Sequence, residues 1–142
     1  MPVVNDLRRD GIEVKVLPST HSICFENIYG EDTNERKQRV TAKADPFTIE
    51  GLQDVDSRIY HLGSLLADDF SLDVIKHLAG KGLLSLDVQG YLREVQNEEV
   101  LAVDWLEKEE ALKYIHILKA NEAEMEVLTG CSEPHEAALL IA

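Results

Sequence analysis

From Pro46 onward, apolar residues recur with periods that switch between two and about 3.6, and the switches mark the expected elements. Thr48 suits the cap of a short helix over Ile49 to Val55, with Asp45 and Pro46 closing the preceding stretch. Arg58-Ile59-Tyr60-His61-Leu62 reads as a strand ending at Gly63. Ser71 is placed to cap a helix whose stripe is Leu72, Ile75, Leu78 and Ala79, and Gly80 and Gly82 end it. Leu83-Leu84-Ser85-Leu86 is nearly continuous in apolar character, as in a strand buried on both faces. A loop through Gly90, a helix over Leu106 to Leu112 and a strand over Tyr114 to Leu118 follow. Asn121 and Glu124 have the spacing of a capping box, with Met125 and Leu128 facing inward and Gly130 as the stop. Ser132-Glu133-Pro134 opens a last helix. Strand and helix in alternation predict a parallel α/β sheet.

The first 45 residues follow other rules. Val3, Val4 and Leu7 share a helical face that ends in Arg8, Arg9 and Gly11. Ile12, Val14 and Val16 alternate with Glu13 and Lys15, the period of a half-buried strand. A domain seldom opens on the last turns of a helix, so more sequence is expected upstream. Ser22 to Phe25 and Arg39 to Ala42 suit two strands, with a turn at Tyr29-Gly30-Glu31-Asp32 and polar residues between. This predicts a hairpin with an apolar face of Ile23, Phe25 and Val40, either an ordinary exposed hairpin, a flap over a ligand or a pairing surface.

Charge narrows the partners. With 27 acidic residues against 14 basic ones the net charge is -13, which disfavours nucleic acid and anionic membranes. Cys24 and Cys131 have no metal or redox spacing and suit reduced thiols in a cytoplasmic protein. No stretch reaches a membrane span, and the N-terminus has no apolar run of a signal peptide. There is no nucleophile elbow, no Walker A loop, no G-x-G-x-x-G and no zinc spacing, and Trp105 stands without a partner pattern. His61 and His116 fall in strand interiors and read as packing residues.

In a parallel sheet, ligands bind outside the carboxyl ends of the strands. Three loops leave such ends here, at Gly63, at Asp87 to Arg93 and at Lys119 to Glu124. They gather Asp87, Gln89, Arg93, Lys119, Asn121 and Glu124 on one edge. A lysine before a helix N-terminus favours an anion, and Glu124 could hold a hydrated Mg²⁺ beside it. The plain alternative is capping by Asn121 and Glu124 with a solvated Lys119. Asp87 could pair with Arg93 to hold its loop, or the loop could contact a polar substrate or a phosphate.

At these loops the sequence resembles the PfkB/ribokinase-type carbohydrate kinases. "LKANEAEMEVLTG", Leu118 to Gly130, resembles their N-x-x-E segment, and "IYHLGSLLADDF", Ile59 to Phe70, the strand and loop after the lid. "GLLSLDVQGYLR", Gly82 to Arg93, resembles the strand and loop reading D-x-N-x-x-R, and "RRDGIEV" the segment before the lid strands. Asp87-Val88-Gln89 departs from D-x-N and resembles the DVQG form of some nucleoside and inositol kinases, which leaves the acceptor open among sugar, polyol and nucleoside.

The resemblance implies an ATP-dependent kinase with a ribokinase-like sheet, flanking helices and a small β lid. Residues 1–17 would end an N-terminal α/β part, 18–45 would form the lid, and 46–142 the central α/β core. It implies that Asn121 and Glu124, the latter through water, organise Mg²⁺ and the donor phosphates, with Lys119 nearby. Asp87, Gln89, Arg93 and Gly63 would line the substrate loops, and the lid would cover the acceptor and could pair two copies. The family's Gly-Gly substrate motif and its G-A-G-D anion hole with the catalytic base are expected before residue 1 and after residue 142. The chain is therefore expected to be a fragment, inactive alone. The other reading is a non-catalytic α/β module for binding or dimerisation.

Overall fold

The structure is a computed structural model that describes residues 2–29 and 36–142. Helix α1 (Pro2–Arg9) ends in Arg8 and Arg9, which suit the negative end of its dipole, and Gly11 turns the chain with a φ of 83°. The strand expected over Ile12 to Val16 does not form; the segment is irregular. Among the described residues no strand pairs with it. Its groups bond elsewhere: Arg8 donates to the Val14 carbonyl at 2.9 Å and Lys15 to the Gly51 carbonyl at 3.0 Å. Alternation proposes a strand, but only a partner's ladder completes one.

Two sheets follow. The first is antiparallel, in the order β1-β2-β6-β5. Strands β1 (Cys24–Tyr29) and β2 (Arg36–Ala42) form the expected hairpin and run further into the polar stretch than the pattern suggested. The centre of its expected turn, Gly30 to Asp32, lies outside the described residues. Val40 is buried, at 3% exposure, while Ile23 and Phe25 are half-buried. A second hairpin completes this sheet, from β5 (Arg93–Gln96) and β6 (Glu99–Ala102), in a stretch to which the sequence pattern assigned no element. Its turn has positive φ at Asn97 (49°) and Glu98 (69°), the mark of a tight hairpin turn. Asparagine tolerates that region, but glutamate does not advertise it, so the turn was hidden. The hairpins meet where the Val40 N–H donates to the Glu98 carbonyl at 2.8 Å and Arg39 pairs with Glu98.

The second sheet is parallel, in the order β3-β4-β7. It comprises β3 (Ile59–Gly63), β4 (Leu83–Asp87) and β7 (Ile117–Lys119). Between them run α2 (Ile49–Leu52), before β3; α3 (Leu72–Ala79); and α4 (Lys108–Ala111), which passes into a 3-10 turn over Leu112–Tyr114. The helix expected over Leu106 to Leu112 is thus shorter, and the last strand starts at Ile117 rather than Tyr114. Leu106 is 96% exposed, so it has nothing to anchor a helical face against. Helices α5 (Glu122–Thr129) and α6 (Pro134–Ile141) close the chain, α6 with proline in its first turn and the Glu133 side chain accepting the Glu136 N–H.

Successive residues of a strand face opposite sides. Tyr60, Leu62, Leu84 and Leu86 point to the side packed by Val74, Ile75 and Leu78 of α3, and all are buried. The other side carries Ile59 (55% exposed), Leu83 (48%) and Ile117 (54%), with His61 and Ser85 between them. Trp105, expected to be solitary, stacks on Tyr91 with ring centroids 4.2 Å apart, and Phe47 stacks on Phe70 at 4.6 Å. No described helix is long and apolar enough to cross a membrane.

Candidate functional site

The parallel register sets one row. Gly63 pairs with Asp87, and Asp87 with Lys119, so the three strands end together. All three expected loops therefore open on the carboxyl edge of this sheet, where such sheets place ligands.

Two of these loops interlock. Gly90 lies in the 3-10 turn Val88–Leu92 that follows β4. A Cβ there would sit 2.5 Å from the Ser64 Oγ and 2.6 Å from the Ser64 carbonyl carbon. Ser64 is 2% exposed and donates from its hydroxyl to the Asp87 carbonyl at 3.1 Å. The Asp69 carboxylate fixes the same β3–α3 loop by accepting the Leu65 and Leu66 N–H groups at 2.7 and 3.0 Å. The sequence placed Ser64 and Gly90 in these loops but not in contact, and the role of Asp69 escaped it, since each shapes the loops rather than touching a ligand.

Asp87 pairs with Lys119, Oδ2 to Nζ, at 2.5 Å, and its other oxygen accepts the Gln89 N–H at 3.3 Å. Partial burial pushes the Asp87 carboxyl up, but Lys119, the Gln89 N–H and the nearby His61 together hold it below the usual carboxylate value. Lys119 is raised by the same hydrogen bond and charge, helped by Glu124. A carboxylate with a depressed folded pKa stabilises the fold above its unfolded pKa, and this contribution disappears as pH falls through the folded value. Urea unfolding from pH 7 to 3 should therefore show a constant gap between wild type and Asp87→Asn at neutral pH. The gap should narrow below the ordinary value of 3.8; a gap that is unchanged down to pH 3 contradicts the assignment.

Asn121 and Glu124 form the full capping box. The Asn121 Oδ1 accepts the Glu124 N–H and the Glu124 Oε2 accepts the Asn121 N–H, both at 2.9 Å. The helix ends at Gly130 with a φ of 73°. The plain reading of these two residues as caps is thus realised, while Lys119 is held by Asp87 rather than simply solvated. Among the described residues, no three His, Cys, Asp or Glu side chains gather as a metal cluster. One carboxylate at Glu124 beside a lysine suits a hydrated Mg²⁺ held chiefly by phosphate oxygens, and does not suit a metal caged by protein.

Arg93 starts β5 and lines a cleft of about 280 Å³ with Lys43, Leu66, Asp68 and Glu94, between the β3–α3 loop and the antiparallel sheet. Lys43 and Asp68 pair across it at 2.8 Å. A wider, open depression lined by Arg58, Lys81 and His116 lies at the opposite, amino-terminal end of the strands. The carboxyl edge is the better candidate, because the loops after all three parallel strands converge there. His61 bonds Ser85 through Nδ1 at 3.0 Å, and His116 Nδ1 accepts the Leu84 N–H at 3.1 Å. Neither histidine shares a metal cluster among the described residues.

No family model and no curated protein matches the chain. Solved structures do. The sulfate complex of a pyrophosphate-dependent kinase in the ribokinase family superposes with a TM-score of 0.91 at 35% identity, over 99% of this chain and 50% of that one. A pyrophosphate-dependent kinase in the ribokinase family, complexed with a pyrophosphate analog and myo-inositol, gives 0.88 at 33%, over 99% and 50%. A pyrophosphate-dependent myo-inositol-1 kinase converted into a myo-inositol-3 kinase by two substitutions gives 0.87 at 32%, over 99% and 48%. The chain spans about half the length of these structures.

Proposed function

The chain has the PfkB/ribokinase-type kinase fold, and on that premise we propose that the protein is a polyol kinase. It transfers a phosphoryl group from pyrophosphate to a hydroxyl of a cyclic polyol of the myo-inositol class. The observation that carries this is the shared edge: Lys119, paired to Asp87, stands beside the capped N-terminus at Asn121. That edge offers a cation and helix N–H groups to a phosphate. The chain is similar, over 99% of its length, to pyrophosphate-dependent kinases in the ribokinase family. The DVQG segment, Asp87 to Gly90, supports an acceptor other than a hexose.

In the reaction, the bond from phosphorus to the bridging oxygen breaks and a bond to the acceptor oxygen forms. Inorganic phosphate leaves, and the hydroxyl proton passes to a general base. Asp87 is a poor choice for that base, since its ion pair with Lys119 and the Gln89 N–H hold its carboxyl below the usual value and so make it weakly basic. A Mg²⁺ ion, when bound, neutralises charge on the donor; Glu124 is the carboxylate that would hold it. Lys119 takes a donor phosphate oxygen, and the cleft at Arg93, Lys43 and Asp68 takes the hydroxyl-rich acceptor under the antiparallel sheet, which acts as a lid.

The test is product formation by protein expressed from its complete reading frame, with pyrophosphate or ATP, with and without Mg²⁺. Acceptors are myo-inositol, hexoses and nucleosides. Phosphorylated inositol from pyrophosphate and Mg²⁺ is the expected product. Turnover confined to ATP with a hexose or nucleoside overturns the donor and acceptor. No turnover and no donor binding leaves the non-catalytic module. The 142-residue chain assayed alone is expected to give no product; turnover by it, abolished in Asp87→Asn, would assign Asp87 the base after all.

A further inference from the structure

We infer that Asp87 is a positioning residue for the donor: it aims the Lys119 ammonium at the phosphate. This rests on the kinase reading above and adds a residue to it. Lys119 is at the last position of β7, and its side chain is 69% exposed. Packing does not hold it, and a free lysine side chain samples many rotamers. Asp87 is the fixed partner. It is its cross-strand neighbour in the parallel register, its side chain is only 20% exposed, and the Gln89 N–H orients its carboxylate. The loop behind it is immobilised by the Ser64 hydroxyl on the Asp87 carbonyl.

An ammonium has three N–H donors. Asp87 takes one, leaving two for a phosphate oxygen while the stem stays in one orientation. An inorganic donor has no base or ribose to bind, so its affinity comes from phosphate contacts alone, and a disordered lysine would weaken it directly. The charge of Asp87 also repels phosphate, but Lys119 itself neutralises that charge at contact distance. The neutralisation is mutual and lowers the charge that Lys119 offers to phosphate; on this inference the ordering of its stem outweighs that loss, so that removing Asp87 weakens binding.

The experiment is a double-mutant cycle on pyrophosphate affinity, measured calorimetrically with Mg²⁺ on the full-reading-frame protein. The members are wild type, Asp87→Asn, Lys119→Gln and the double variant, each checked for an intact fold by circular dichroism. Asp87→Asn should weaken pyrophosphate about tenfold, and should change affinity less than about twofold once Lys119 is glutamine. The acceptor KM should be unmoved, as a merely structural role would not predict. Three outcomes overturn the inference: unchanged or tighter binding in Asp87→Asn, an equal loss in both backgrounds, or a loss shared with acceptor KM. If wild type binds no pyrophosphate, the pyrophosphate-donor reading fails and the inference with it. If wild type binds and Asp87→Asn is silent, the inference alone fails.

Discussion

Gly90→Ala should lower the stability of the protein by about 3 kcal/mol, near the top of the range for overpacking. The new methyl would lie 2.5 Å from the Ser64 Oγ, 2.6 Å from its carbonyl carbon and 2.7 Å from its Cβ. Two of these atoms belong to the Ser64 backbone and Cβ, and no rotamer change moves them. Ser64 cannot retreat, because it is buried and tied to Asp87. The strain would therefore open the contact between the β3 and β4 loops, which frames the carboxyl edge. Gly63→Ala is the control, since nothing lies within 4 Å of a Cβ there. Urea unfolding of the two variants should separate them clearly. If Gly90→Ala stays within about 0.5 kcal/mol of wild type, the close approach of the loops is not rigid. Donor use should fall with stability, as the row at Gly63, Asp87 and Lys119 loses its register.

Lys119→Gln should reduce kcat/KM for the phosphoryl donor roughly 100-fold, about 2.7 kcal/mol of transition-state stabilisation. Charge-assisted hydrogen bonds to phosphate are the strong ones, and glutamine keeps the size but loses the charge. The variant should fold normally, because the Lys119 side chain is largely exposed and the Asp87 carboxylate left behind keeps the Gln89 N–H as a partner. Steady-state kinetics against pyrophosphate at saturating polyol tests this. A loss in acceptor KM with donor kinetics intact would move Lys119 from the donor to the acceptor.

The parallel sheet was legible because its signals are local. Leu83 to Leu86 is an apolar run, and Ser71 and Asn121 each precede a helical stripe with a capping residue. The structure realises both caps. The row at Gly63, Asp87 and Lys119 followed from placing strand ends alone. What escaped depends on distant partners. Ile12 to Val16 alternates correctly but meets no ladder. The β5–β6 hairpin turns on Glu98 in a left-handed conformation, which no composition rule favours at glutamate. Lys119 as the partner of Asp87 is a cross-strand contact over 32 residues, whereas sequence proximity pointed to Arg93. The Trp105–Tyr91 stack likewise joins two stretches with no shared period.

The face of the parallel sheet that bears Ile59, Leu83 and Ile117 also bears on colloidal behaviour. Each of these side chains is about half exposed, and together they form a sticky plane on an otherwise acidic molecule. At low ionic strength the net charge of -13 keeps copies apart by mutual repulsion. Added salt shortens the range of that repulsion to about 8 Å at 0.15 M and about 3 Å at 1 M, while leaving apolar attraction in place. The sign of the pair interaction between molecules is thus set by salt: repulsive in dilute buffer, attractive in concentrated salt. The charge excess thus acts as the molecule's dispersant.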